Sequence, residues 1–172
     1  MSRPVSTRFA VALLVLAACS PQADSSEKAD TATTPQTPAE WVAESNRLRR
    51  EGSYKPAVDA ALEAFKLAGS GPRVQERLAL AKAFGAGGNP TAAINEIKEM
   101  EKERTAGTLQ VDEVDIAAVY AQIGDNPAVF RWLDRAVTKN SPELKRLHTD
   151  PDFEPAKADP RWADIIAKAP QQ

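Results

Sequence analysis

The sequence predicts an all-α domain behind an N-terminal leader and tether, and three observations predict it. From Trp41 onward, Ala, Leu, Glu, Lys and Arg recur at helical spacing and no alternating run of β-branched residues interrupts them. Short breaks of Gly, Asn, Asp and Pro divide that stretch at intervals too short for single long helices. The pairs Gly52-Ser53, Gly88-Asn89 and Gly124-Asp125 stand thirty-six residues apart, so one helix-turn-helix unit occurs three times. With 42% hydrophobic and 27% charged residues in a chain of 172, there is material for a sizeable core.

The first element is residues 1–18. Arg3 and Arg8 precede the apolar run Phe9 to Ala18. Ten such residues span only about 15 Å as a helix, roughly half a bilayer core, which fits a cleaved signal peptide better than a membrane span. Leu16-Ala17-Ala18-Cys19 then resembles a bacterial lipobox, and Cys19 is the one cysteine of the chain. That resemblance implies cleavage before Cys19 and attachment of acyl chains, palmitate among them, to its thiol and new amine. Two or more chains make a stable anchor where one is marginal. Ser20 stands where an aspartate is the usual inner-membrane retention cue, so the resemblance implies the outer membrane of a Gram-negative cell, with the chain facing the periplasm.

Residues 19–39 form the second element, the lipidated cysteine and a tether. Ser20 to Ala39 has no large apolar residue and is interrupted by Pro21, Pro35 and Pro38, so it cannot bury a core. As a flexible coil it reaches about 25 Å.

The third element, residues 40–138, carries the repeat. Leu48, Phe84 and Tyr120 precede the turn in register, and Ala57, Ala93 and Val129 follow it, as do Ala64, Met100 and Ala136. Gly52 can take the positive φ that ends one helix, Ser53, Asn89 and Asp125 can cap the next, and Ala57 allows close helix approach. Pro90 and Pro127 follow as first-turn residues. In this pattern the chain resembles the tetratricopeptide repeat (TPR), best in Trp41, Gly52, Tyr54, Ala57 and Ala64 of the first unit. Arg77 and Glu113 stand where Trp41 does, and the period is two residues longer than usual. The resemblance implies a TPR-like α-solenoid of three hairpins.

The fourth element, residues 139–172, contains Asp150-Pro-Asp-Phe153 and Asp159-Pro-Arg-Trp162. These paired Asp-Pro-x-aromatic motifs resemble the segment that closes many bacterial TPR arrays. Leu144, Leu147, Phe153, Trp162, Ile165 and Ile166 are spaced to cover the open face of a last repeat.

Composition narrows function further. Twenty-two basic against twenty-four acidic residues give a net charge of −2, which supplies no positive field for nucleic acid. One histidine and one cysteine make metal clusters and nucleophile triads poor readings, so neither metal nor cofactor is expected. Gly85-Ala-Gly-Gly88 lacks the strand and the Gly-Lys-Ser/Thr of a phosphate loop and reads as a helix end. Asp150, Asp152 and Glu154 alternate like a calcium loop, but Pro151 and Pro155 intrude and Arg161 holds the closing position, so they read as helix caps. His148 has no nucleophile to serve. Glu99, Glu101 and Glu103, interleaved with Lys98, Lys102 and Arg104, read as a solvated face.

The expected role is therefore a non-catalytic protein-protein interaction module or adaptor of the cell envelope. Its partner is an envelope protein, and its membrane contact is through the acyl chains on Cys19. Carrying the family's ligand-facing positions onto this chain gives a concave groove of Val42, Asn46, Arg49 and Arg50, then Leu78 and Lys82, then Val114, Ala118 and Gln122. The pattern by which some family members clamp a peptide carboxylate is not reproduced, because Val42, Leu78 and Val114 replace polar groups there. The alternatives are a periplasmic hydrolase, which needs a polar constellation in a pocket, and an accessory subunit packed permanently into an envelope complex.

Overall fold

A computed structural model describes residues 34–170. The stretch read as a signal peptide, Cys19 and most of the stretch read as a tether fall outside the described residues. Those described form seven α-helices and two 3₁₀ segments with no strand among them, so the domain is all-α.

Helix α1 (Pro38–Arg50) begins inside the stretch read as tether. Thr37 accepts the Glu40 N–H at 3.2 Å, and the Glu40 carboxylate accepts the N–H of Thr37 at 3.1 Å and of Gln36 at 2.6 Å. This capping box makes Pro38 a helix starter at the first position rather than an interruption. Backbone and side-chain hydrogen bonds to Gln36 and Thr37 also hold the Glu40 carboxyl below its ordinary range.

The three repeated turns share one geometry. Gly52, Gly88 and Gly124 have φ of 79°, 79° and 82°, the left-handed region that ends each first helix. They separate α1 from α2 (Tyr54–Leu67), α3 (Val74–Ala86) from α4 (Pro90–Thr105), and α5 (Glu113–Ile123) from α6 (Asn126–Thr138). Asn89 caps α4 through Ala92 N and Asp125 caps α6 through Ala128 N. Ser53 makes no such cap, a departure from its expected role.

Within each pair the helices pack on each other, and α1, α3 and α5 pack in series. Small residues set the spacing. Ala57, Ala60, Ala61 and Ala64 form the buried face of α2, and the buried Ser45 hydroxyl donates to Ala57 O at 2.7 Å. Helix α5 is central, with Val114, Ile116, Ala117, Ala118 and Val119 all buried. One apolar cluster runs from Leu78 and Ile97 through Leu133 to Phe153 and Ile165, and a smaller one of Ala61, Ala79 and Leu80 joins the first pair to α3.

The two positions equivalent to Trp41 are buried charges, each neutralised from elsewhere. Arg77 pairs with Glu96 at 3.2 Å and Glu103 at 2.7 Å, and Glu113 with Arg104 at 2.7 Å and Lys139 at 2.5 Å. Trp132 is buried with the guanidinium of Arg135 4.5 Å from its ring centroid. Trp41 and Trp162 are only partly buried.

The C-terminal part consists of η1 (Pro142–His148), η2 (Pro151–Ala156) and α7 (Arg161–Lys168). Leu144, Leu147, Phe153, Ala156 and Ile165 enter the main cluster, and the Phe153 and Trp162 rings lie 5.7 Å apart. Asp150 caps η2 by accepting the Asp152 N–H at 2.9 Å, and Asp159 accepts the Arg161 N–H at 3.0 Å. His148 Nε2 lies 3.3 Å from Pro170 O, so the histidine is engaged at the chain's C-terminal end.

Candidate functional site

The nine groove positions lie on α1, α3 and α5, and three of them converge on one acid. Arg49 donates to Asp152 Oδ1 at 2.5 Å and Lys82 to Asp152 Oδ2 at 2.8 Å. Gln122 donates to the Asp152 carbonyl at 2.7 Å while its own Oε1 accepts from Arg49 at 2.5 Å. Each of the three first helices therefore supplies one contact to η2. Burial alone drives the Asp152 carboxyl upward, but Lys82 and Arg49 outweigh it and hold it below the ordinary aspartate range. Asp152 is thus no helix cap, contrary to the reading of Asp150, Asp152 and Glu154 as a set of caps. Asp150 does cap, and exposed Glu154 pairs with Lys157.

The remaining groove positions divide between core and surface. Leu78, Val114 and Ala118 are buried, so they belong to the core and present no open lining. Val42 and Asn46 are partly buried, and Arg50 is exposed. The η2 segment fills the groove where Arg49, Lys82 and Gln122 meet.

Magnitudes decide how firmly that segment is held. Four large apolar side chains of the C-terminal part, Leu144, Leu147, Phe153 and Ile165, are fully or nearly buried, at about 1.5–3 kcal/mol each. Their loss amounts to on the order of 10 kcal/mol, comparable to the whole stability of a typical domain. The segment is therefore held as part of the fold, and the groove positions it covers are not open surface.

An open apolar surface lies on α2. Tyr54, Leu62 and Leu67, exposed by 42%, 39% and 52%, are the large apolar side chains left exposed among the described residues, and all three belong to this helix. Tyr54, Val58 and Leu62 are spaced by four and share one face. That face borders a cleft of about 240 Å³ formed by Tyr54, Val58, Ala83, Phe84 and Gly87, with Lys55 and Asn89. The sequence reading missed it because Tyr54 and Leu62 look like ordinary members of a helical apolar stripe. The available signal was the four alanines of α2, which take the buried face and leave the larger residues outside it.

No protein-family model, curated protein or solved structure matches the chain.

Proposed function

We propose that the chain is a TPR-type interaction module, held by acyl chains on Cys19 to the outer membrane and facing the periplasm, which binds an envelope protein without catalysis. The carrying observation is that exposed Tyr54 and Leu62 share one face of α2 with half-buried Val58, and that Tyr54 and Val58 border the Phe84 cleft, an apolar surface of the kind contact sites use. The lipobox-like Leu16-Ala17-Ala18-Cys19 supports the anchor, and the thirty-six-residue period with its three left-handed glycines supports the repeat architecture. A pre-formed helical face on a tether raises the effective concentration of a partner confined to the same envelope.

Site-specific photo-crosslinking in the native envelope tests this reading. A probe at Leu62 is expected to trap a discrete partner, and a probe at exposed Arg50 is not. Tyr54→Ser with Leu62→Ser should abolish the adduct formed from a probe at Val58 while leaving thermal stability nearly unchanged, because exposed substitutions shift it by only about 0.5 kcal/mol. Cys19→Ser should release the protein from the membrane fraction. Equal trapping from Arg50 and Leu62 would exclude the α2 face as the specific surface.

A further inference from the structure

Helices α2 and α4 each pack on α3 rather than extensively on one another, so a groove runs between them over α3. At its start Tyr54 and Val58 border the cleft of about 240 Å³ that reaches Phe84 and Gly87. At its other end Phe65, Arg73 and Arg77, with Glu96 and Glu103 of α4, line a second cavity of about 250 Å³. Val58 and Phe65 stand seven residues apart, so the two cavities lie on one side of α2, about 10 Å from each other along its axis.

The second cavity is balanced in charge, two arginines against two glutamates, so pairing rather than net charge decides what it takes. Arg77 engages both carboxylates, Glu96 at 3.2 Å and Glu103 at 2.7 Å. Arg73 has no carboxylate at ion-pair distance among the described residues, Glu76 of the adjoining turn included. Its guanidinium lies 3.8 Å from the centroid of the Phe65 ring, and stacking of that kind leaves the in-plane N–H donors available. Arg73 is also held at φ 45°, a left-handed conformation that costs a non-glycine residue free energy. Helix α3 starts beside it without a side-chain cap, so the positive end of that helix adds to the same sign.

We propose that this groove takes an amphipathic helix of the partner protein, with a large apolar side chain in the Tyr54–Phe84 cleft and an Asp or Glu seven residues from it meeting Arg73. This rests on the reading of α2 as a contact surface and adds the chemistry that surface selects. A helix fits because there is no strand among the described residues, so no sheet edge is there to pair the backbone of an extended segment, whereas a helix pairs its own. The acid supplies the partner that Arg73 lacks, and a base in its place meets that guanidinium with like charge.

The test is an NMR titration of the full chain with alanine-rich helical peptides carrying one Leu and one Glu seven residues apart, made in both orders. At least one order is expected to give saturable shifts at both Phe84 and Arg73. Versions of it with Gln or Lys in place of Glu should bind weaker by about fivefold or more, since each loses a charge-assisted contact. Arg73→Asn, a side chain that tolerates a left-handed φ, should remove the preference for Glu while shifts at Phe84 and the rest of the spectrum stay in place. The proposal is overturned if neither order gives saturable shifts, if the Gln or Lys version binds as tightly as the Glu version, or if Arg73→Asn keeps the preference. Shifts at Phe84 with no preference for Glu would remove the acid at Arg73 and leave the α2 contact surface standing, whereas equal trapping from Arg50 and Leu62 would remove that surface itself.

Discussion

Arg49 of α1 and Asp152 of η2, 103 residues apart in sequence, form a buried ion pair at 2.5 Å, with side chains 4% and 6% exposed. The pair ties the first helix to the C-terminal part across α3 and α5, whose Lys82 and Gln122 complete the cluster. Two cations facing one carboxylate make the acid the keystone. Asp152→Asn strands both Arg49 and Lys82, whereas Arg49→Gln leaves the Lys82–Asp152 pair intact. Asp152→Asn is therefore expected to cost about 3–5 kcal/mol, as breaking buried pairs does, and Arg49→Gln less. Urea midpoints of the two variants check the order, and equal losses contradict it.

Acid sensitivity follows from the same carboxyl. Its folded pKa lies below its unfolded value of about 3.9, so its contribution to stability is fully present above that pH and is lost as pH falls through the folded pKa. Glu113 behaves alike: burial raises its pKa, but Lys139 and Arg104 reverse the shift and leave it lowered. Thermal unfolding should thus lose stability below about pH 4, and Asp152→Asn should flatten that fall. A variant whose acid profile parallels the parent's contradicts the assignment to Asp152.

Helix boundaries and turns were legible in the sequence because their causes are local. Gly52, Gly88 and Gly124 are separated by a fixed step, and Asn89 and Asp125 act on residues three positions away. The start of α1 was misread because Pro38 both breaks helices and begins them, and only the Thr37–Glu40 box distinguishes the two. The Asp152 cluster was not legible, since its members lie 30 to 103 residues apart and no local pattern couples them. A clue existed in Lys82, flanked one turn away by Leu78, Ala79, Gly85 and Ala86, which requires a counter-charge from somewhere. The α2 face was hidden for a different reason: apolar periodicity reports which residues share a side, not which side the neighbouring helix covers.

Gly85 carries a requirement that its glycine-rich context conceals. It lies within α3, buried, and a Cβ there would meet Ile123 Cγ1 at 3.0 Å and the Gln122 carbonyl carbon at 3.3 Å. The contact sets the approach of α3 to α5, and backbone on the far side cannot give way cheaply. Gly85→Ala should destabilise by about 1–3 kcal/mol through overpacking. Gly71, exposed with nothing within 4 Å of a Cβ and no positive φ, should accept alanine with no such loss. Chemical denaturation of both variants separates a packing requirement from a general aversion to losing glycine.

The permanence of the C-terminal part gives the most direct contrast with a displaceable lid. Phe153 is fully buried and stacks near Trp162, while Leu147 and Ala156 are equally buried beside it. Phe153→Ala should therefore lower global stability by about 3–5 kcal/mol rather than free a local segment. Hydrogen exchange of the unmodified protein offers the complementary reading. Amides of η1, η2 and α7 that are hydrogen-bonded should exchange with the same opening free energy as those of α5, because one apolar cluster contains both. A separate, lower opening energy confined to residues 142–169 would mean that the groove at Arg49 and Lys82 opens on its own, and would restore that groove as a surface for partners.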